Sequence, residues 1–597
     1  MNETFFISGI IPLHFRADGF RILYACISAF LWFISFIFTK KYYSVSHTAR
    51  IFTLGAVMGV FFSDHIITTF IFFEAMSLCS YFMVIDNKDP SSMKAGETYL
   101  SYAIIGGLSI LMGIFLLNNI LGEGNLHFES IYSASLLLEN KTILYLPGGL
   151  LLFGFTAKAG LFPLHTWVYR TYAVSPEPNC ALLSGILSKT GIFGIIIISR
   201  NLFPQNMEWS LFLLILASIS ALWGSFLALT SECFKKTLAF SSVSQIGFVV
   251  IAIALHGLIG EALAGQAILV LMMNHSIIKF LLFLCAGIVF INTGKSNLEE
   301  IRGFGRGKPF FFLLFTIAAL SISAIPLFSG FIGKTLLHKN LLEGILILQQ
   351  SLSIQVFLHE PFFQIFDLIF IVSSALTMAY MLKLFIILFL EKNDVEKEKE
   401  TKVKYIGSLP ILSLTLTGII LPLFGIFPFL LDYLTGAALG FFGNFNTVYN
   451  LQYYTLANIS SLLIPALLGV FFYVIFIKVL NIHKIKKSHI IDLQNLLYIP
   501  IIKILYLFLL MIMRFFSSLP DWLVRLSLKT FLKTRKKFYI PGNFLSAHYA
   551  LFFPEDKTGK RGSLNTEVIG GFSLNLLLVG GGICLFLVYV FIASLFF

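Results

Sequence analysis

Fourteen stretches of this chain stay apolar for about the 20 residues that a helix needs to cross a bilayer. They occupy residues 18–39, 48–64, 66–86, 97–119, 142–171, 177–200, 208–230, 237–256, 262–291, 310–346, 362–391, 405–431, 455–479 and 570–596, and leave little sequence for anything else. In hydrocarbon a spanning segment must satisfy its own backbone N–H and C=O groups, which makes these segments helices. The fold class that follows is all-α, a polytopic membrane protein of about 14 transmembrane helices. Composition excludes the alternative of a soluble fold: 12% charged residues against 57% hydrophobic ones cannot clothe a chain of 597 residues in water. No cleavable signal peptide is expected, because MNETFFISGIIPLHFRADGF has no basic n-region and too short an apolar core.

The 42 Lys and Arg exceed the 30 Asp and Glu, yet no basic domain with interleaved aromatics exists for nucleic acid to bind. The basic residues sit in alternate loops instead: Lys40, Lys41 and Arg50; Lys88 and Lys94; Arg170; Lys235 and Lys236; Lys295, Arg302, Arg306 and Lys308; Lys392 to Lys404; Lys478 to Lys487. By the positive-inside rule these loops face the cytoplasm, which puts the N- and C-termini outside a cell inner (cytoplasmic) membrane. Residues 494–537 break the alternation, being flanked by basic loops on both sides. They read as an amphipathic helix lying laterally on the cytoplasmic side, kinked at Pro520, with a tight hairpin of two further spans as the alternative.

Ionisable groups inside the apolar runs carry the functional signal. In LLFGFTAKAGLFPLHTWVYR, Lys158 stands mid-run with Pro163 after it, and Lys189 stands inside the next run. An ammonium in hydrocarbon is costly unless it is paired or hydrated, so such lysines face a polar interior. Pro326 interrupts another long run, FLLFTIAALSISAIPLFSGFIGKTLL, which again holds one lysine, Lys334. Two Pro-interrupted helices in corresponding, oppositely directed positions point to inverted repeats with an ion site in each. Glu74 is the only acid of the third span, and Lys158 is its natural partner, since a nearby carboxylate favours the charged amine while burial disfavours it. His275 and Lys279 are four apart and share a helix face, a pairing suited to proton exchange. His165 reads equally as a core residue or a relay group, and Lys383 as a snorkelling lysine or an exit group. The six cysteines (Cys26, Cys79, Cys180, Cys233, Cys285, Cys584) form no ligand-spaced cluster, so no cofactor or metal is expected and any redox chemistry belongs to another chain.

In this order, FFEAMSLCSYFMV, AKAGLFPLHTW, ALLSGILSKTGIF, KKTLAFSSVSQIGF, NHSIIKFLLFLCAGIV and IPLFSGFIGKTLL resemble the antiporter-like subunits shared by respiratory complex I, Mrp-type sodium/proton antiporters and membrane-bound hydrogenases. The resemblance implies a proton path along the membrane midplane through Glu74, Lys158, Lys189, His275, Lys279 and Lys334. It departs in two places. The chain starts where the family's third helix would, and Cys233, beside Glu232, stands where the family often has an aspartate. The implied organisation is an N-terminal helix in 1–47, a first half-channel over 48–200, a second over 208–391, additional membrane helices over 405–480, a lateral helix and basic loop over 494–562 and an anchor helix over 570–597.

The leading expectation is a subunit that translocates protons, or exchanges Na+ for H+, and works with other membrane subunits of a larger complex in the lipid bilayer. The alternatives are a stand-alone secondary transporter or an inorganic-carbon uptake subunit, and a structural anchor. The runs show relay residues rather than a substrate-sized polar cavity, and an anchor has no use for intramembrane charge.

Overall fold

The computed structural model describes residues 2–480 apart from 8–10, 41, 44, 123, 261, 352–358, 393–405 and 444–450. The expected lateral helix and terminal anchor lie outside the described residues, as does the fourteenth apolar run. An antiparallel hairpin of β1 (Asn2–Ile7) and β2 (Ile11–Arg16), paired from Asn2 with Arg16 to Ile7 with Ile11, precedes α1 (Gly19–Thr39). The segment 1–47 thus holds its expected helix behind a hairpin that the apolar runs do not reveal.

The next elements are α2 (His47–Phe62), α3 (Ile66–Val84), α4 (Pro90–Leu121), the short α5 (Phe128–Leu137), α6 (Tyr145–Ala159) and α7 (Thr166–Val174). The run Glu177–Leu202 is one span made of α8 (Glu177–Leu182), a π segment (Leu183–Leu187), α9 (Ser188–Ile197) and a second π segment (Ile198–Leu202). Then come α10 (Met207–Thr230), α11 (Phe234–Ile259), α12 (Ala262–Thr293), α13 (Pro309–Ile322), α14 (Ser329–Ser351), α15 (His359–Phe385), α16 (Ser408–Ile426), α17 (Pro428–Gly436) and α18 (Leu456–Phe472). Eleven helices among the described residues are long and apolar enough to cross a membrane, and the shorter apolar helices α2 and α13 fall on two more of the expected runs.

Local chemistry starts and stops these helices. Asp18 Oδ1 accepts the Arg21 N–H at 2.9 Å to open α1, and Asp89 caps α4 with Pro90 in its first turn, where a missing N–H costs nothing. Both interruptions expected from proline are present. α6 ends at Gly160 in the left-handed region (φ 78), and Pro163 lies in the turn before α7. α13 ends at Ile322, and the turn holding Pro326 has positive φ at Ala324 (60) and Leu327 (73) before α14 begins.

Glu177–Leu202, α11 and α12 are buried throughout their apolar windows and form the centre. The surrounding helices expose large apolar side chains, among them Phe33, Ile51, Phe82, Leu146, Leu313 and Leu368. Such a surface suits lipid rather than water. The protein is a multi-pass membrane protein whose polar groups are gathered inside.

Candidate functional site

Seven basic side chains from the apolar runs, Lys158, His165, Lys189, His275, Lys279, Lys334 and Lys383, are each no more than 5% exposed. The structure places five of them, Lys158, Lys189, His275, Lys279 and Lys334, in three hydrogen-bonded stations.

The first station joins α3, α4 and α6. Lys158 is the penultimate residue of α6, where an ammonium complements the negative end of the helix. Its Nζ donates to Ser77 Oγ at 3.1 Å and to Tyr99 OH, and lies 4.7 Å from the Tyr99 ring centroid. Tyr99 OH in turn bonds Ser80 Oγ. On α7, Trp167 sends its indole N–H to the Ala157 carbonyl at 2.6 Å, holding the two halves of the broken helix together. A cavity of about 10 Å³, bordered by Tyr99, Tyr102, Lys158 and Trp167, has room for roughly one water. The expected Glu74 to Lys158 pairing is not a direct ion pair. Hydroxyls hold the ammonium, and Glu74 Oε1 is buried without a hydrogen-bond partner. The carboxylate lies against Gly107 of α4, where an added Cβ would sit 2.3 Å from Oε1. One turn separates Glu74 from Ser77, so the acid and the hydroxyl that binds Lys158 share a face of α3.

The central station joins the Glu177–Leu202 span, α11 and α12. Its π segment lets the Ser188 N–H reach back to the Leu183 carbonyl, and this change of winding leaves the Ser184 carbonyl to accept Lys189 Nζ at 2.8 Å. The same Nζ lies 2.8 Å from His275 Nδ1, while His275 Nε2 is buried without a partner. Lys279, one turn further along α12, donates to the Leu238 carbonyl at 2.9 Å. That carbonyl also accepts Ser242 Oγ, and Ser242 Oγ bonds Ser184 Oγ at 2.8 Å. Lys189 and Lys279 therefore hang on one serine network, and His275 bonds the first and precedes the second.

The third station surrounds the second broken helix. Lys334 Nζ donates to Ser374 Oγ at 3.3 Å and lies 4.9 Å from the Phe248 ring centroid, a cation–π contact that partly replaces lost hydration. One turn on, His338 Nε2 meets Asp367 Oδ1 at 3.0 Å and its ring stacks on Phe370.

The weaker candidates part company. His165 is buried and stacked on Phe162, with Nδ1 unpartnered, which is a packed position with one free ring nitrogen. Lys383 is buried and does not snorkel: it donates to the Leu229 and Ser231 carbonyls at the C-terminus of α10, where a cation offsets the helix dipole. Glu232 is exposed and joins no station. The buried acid of that region is Glu177, whose Oε1 forms an ion pair with Lys235 Nζ at 2.9 Å while Tyr43 OH donates to Oε2 at 2.8 Å. Lys235 reads in the sequence as a loop charge, and Glu177 as the end of a span. The signal for either is an acid in SPEPNC at the first turn of a long, largely apolar run.

Residues 63–358 match the family described as NADH:quinone oxidoreductase/Mrp antiporter, TM. Similar curated proteins include Hydrogenase-4 component B of Escherichia coli, 31% identical over 47% of this chain and 43% of that one. One of the Na(+)/H(+) antiporter subunits of Alkalihalophilus pseudofirmus is 28% identical over 64% of this chain and 73% of that one. This chain therefore spans less than half the length of the first relative. Among solved structures, a chain of the Mrp complex from Dietzia sp. superimposes with a TM-score of 0.63 at 21% identity, covering 77% of this chain and 89% of that one. A chain of respiratory complex I from Thermus thermophilus with bound NADH gives 0.62 at 21%, covering 74% and 88%. The fold is that of these membrane subunits.

Proposed function

From a chain whose residues 63–358 belong to the NADH:quinone oxidoreductase/Mrp antiporter transmembrane family, we propose a proton-translocating membrane subunit of a multisubunit complex, with Na+ exchange as a further capacity of the same path. The observation that carries this reading is the set of amines Lys158, Lys189, Lys279 and Lys334, buried in a bundle with an apolar exterior and each held by hydroxyls, carbonyls or an imidazole. Such partners bind an ammonium yet leave it able to surrender a proton, whereas a permanent ion pair would trap the charge.

In this reading Glu74 and Lys158 serve the first half-channel within 48–200, the Lys189, His275 and Lys279 group bridges, and Lys334 serves the second within 208–391. The two broken helices support an inverted relation between the halves. The basic loops support a cytoplasmic-membrane location with both termini outside. The lateral segment 494–562 serves to contact a neighbouring membrane subunit, 570–597 serves as a membrane anchor, and redox chemistry, where the complex has it, resides in other chains.

The test is reconstitution of the purified complex in proteoliposomes with a pH-sensitive dye inside. Driven proton movement that disappears with Lys158→Ala is expected. Undiminished movement in that variant, with the complex fully assembled, would overturn the proposal.

A further inference from the structure

A cavity of about 330 Å³ stands apart from the three stations, at the end of the bundle opposite the basic loops. Ser135, Lys141, Leu202, Phe203, Asn206 and Glu208 border it. Its deeper lining is buried: Leu202 and Phe203 are sealed, and Ser135 Oγ donates to the Asn201 carbonyl at 2.9 Å. One wall is the turn from Phe203 to Asn206, closed by the Asn206 N–H on the Phe203 carbonyl at 3.3 Å. Gln205 in that turn has φ 50, and its amide packs so close to Gly260 that an added Cβ there would stand 2.8 Å from Nε2. Sites for small ligands start at about 300 Å³, so the cavity is large enough to hold one.

Its rim carries opposite charges. Lys141 and Glu208 are both exposed and border the same cavity, and neither has an ion-pair partner among the described residues. Tyr145 OH donates to Glu208 Oε2 at 2.6 Å, which leaves the carboxylate a second oxygen for another donor. The formal charge of the lining is zero, so a lone anion or cation meets repulsion along with attraction. A zwitterion meets attraction at both ends.

Apolar surface leads away from this rim. α6 and α10 both begin beside the cavity and run into the bundle. On α10, Phe212, Ile215 and Ile219 follow Glu208 at steps of four, three and four, which puts them on one helix face, and all three are exposed. On α6, Leu146 and Phe153 are seven apart and exposed. The rings of Tyr145, Phe203 and Trp209 stack in sequence at 5.4 and 4.0 Å, as aromatic side chains gather at the level of lipid headgroups. Opposed charges above two lipid-facing stripes match one phospholipid, head and tails together.

We propose that this cavity binds the headgroup of a zwitterionic phospholipid that carries a primary ammonium, with its acyl chains along the α6 and α10 stripes. The Lys141 ammonium donates to the phosphodiester, and the Glu208 carboxylate accepts from the ammonium of the lipid. A trimethylammonium headgroup has the same charges but no N–H to give, so it binds less well. The site follows from the membrane location alone and is independent of the translocation reading.

The experiment titrates the assembled complex, stripped of lipid in detergent, with dioctanoyl phosphatidylethanolamine and counts bound lipid by native mass spectrometry. The expected result is one tightly held molecule per copy of this chain. Lys141→Met with Glu208→Gln should lower that affinity by about tenfold without changing the Tm of the lipid-free complex, both side chains being exposed. Exchanging the charges, Lys141→Glu with Glu208→Lys, should recover part of the affinity, which no loss of packing would predict. On the unaltered complex, dioctanoyl phosphatidylcholine and chain-free phosphoethanolamine should each bind more weakly. Equal affinity in the neutral double variant overturns the proposal. Tighter binding of dioctanoyl phosphatidylglycerol, or equal binding of dioctanoylglycerol, overturns it as well, and both are read without any variant.

Discussion

Replacing Gly107 by alanine tests whether the position of the Glu74 carboxylate matters, without altering a titratable group. An added Cβ would stand 2.3 Å from Glu74 Oε1 and 2.9 Å from Oε2. Ordinary carbon–oxygen contacts begin near ~3.3 Å, so the carboxylate must retreat by about 1 Å. A displacement of that size in a reacting group costs on the order of 100-fold in rate. Overpacking costs about 1–3 kcal/mol and the alanine returns up to about 1 kcal/mol of helix propensity, which leaves a chain that still inserts and assembles. Gly55, with nothing within 4 Å of its Cβ position, supplies the matched control Gly55→Ala. Dye-reported proton movement, normalised to assembled complex, should fall strongly in Gly107→Ala and remain unchanged in Gly55→Ala. Shortening the acid in the same background, Glu74→Asp with Gly107→Ala, should recover part of the loss. Equal rates in Gly107→Ala and the unaltered protein would refute the reasoning and leave Glu74 as a packed carboxyl.

Lys334→Ala and Glu74→Gln should each abolish or strongly reduce proton movement with assembly largely retained; normal pumping by either removes that residue from the path. Lys383→Met takes a charged donor from the Leu229 and Ser231 carbonyls, and after relief of its own desolvation should destabilise the bundle by about 2 kcal/mol, read as a lower Tm. An unchanged Tm would show that α10 does not need its cap. At the hairpin, the rings of His14, His65 and His127 cluster in tilted and edge-to-face contacts with centroids 4.3–5.1 Å apart, and burial, then His127 and His14, push His65 down to about 4, while burial also lowers His14. The folded state therefore binds these protons less tightly than the unfolded one, so the hairpin is at full strength above pH ~6.5 and weakens as pH falls towards 4. Asp64, raised by burial, works in the opposite sense in the carboxylate range. Protection of the amides of residues 11 and 13–16, expressed relative to the intrinsic exchange rate at each pH, should fall from pH 7 to pH 5, and constant protection would sink the idea. Ending the chain after Asn481 should leave the half-channels folded but weaken attachment to partner subunits, as copurification would reveal.

Much of this protein was legible before any coordinates. Hydrophobic runs of bilayer length determine helices because hydrocarbon offers no other partner to the backbone, and α1 to α18 lie where those runs are except for α5 and α17, which are too short to register. Pro163 and Pro326 marked both broken helices, since proline lacks the donor that would continue them. Lys158, Lys189, Lys279 and Lys334 stood out because lone charges in such runs are expensive, and all four are buried. The partners of those charges were not legible. Glu74 reads as the partner of Lys158, yet Ser77 and Tyr99 hold it; Lys383 reads as a snorkelling lysine or an exit group, and its buried ammonium caps α10; Lys235 reads as a loop charge and Glu177 as the end of a span, yet they form a buried pair. A sequence records each residue's solvation preference and its neighbours three and four places away on one helix. Which faces of separate helices meet is decided by close packing, where lipid tails and apolar side chains are equivalent and hydrophobicity no longer discriminates, so those contacts belong to the tertiary structure alone.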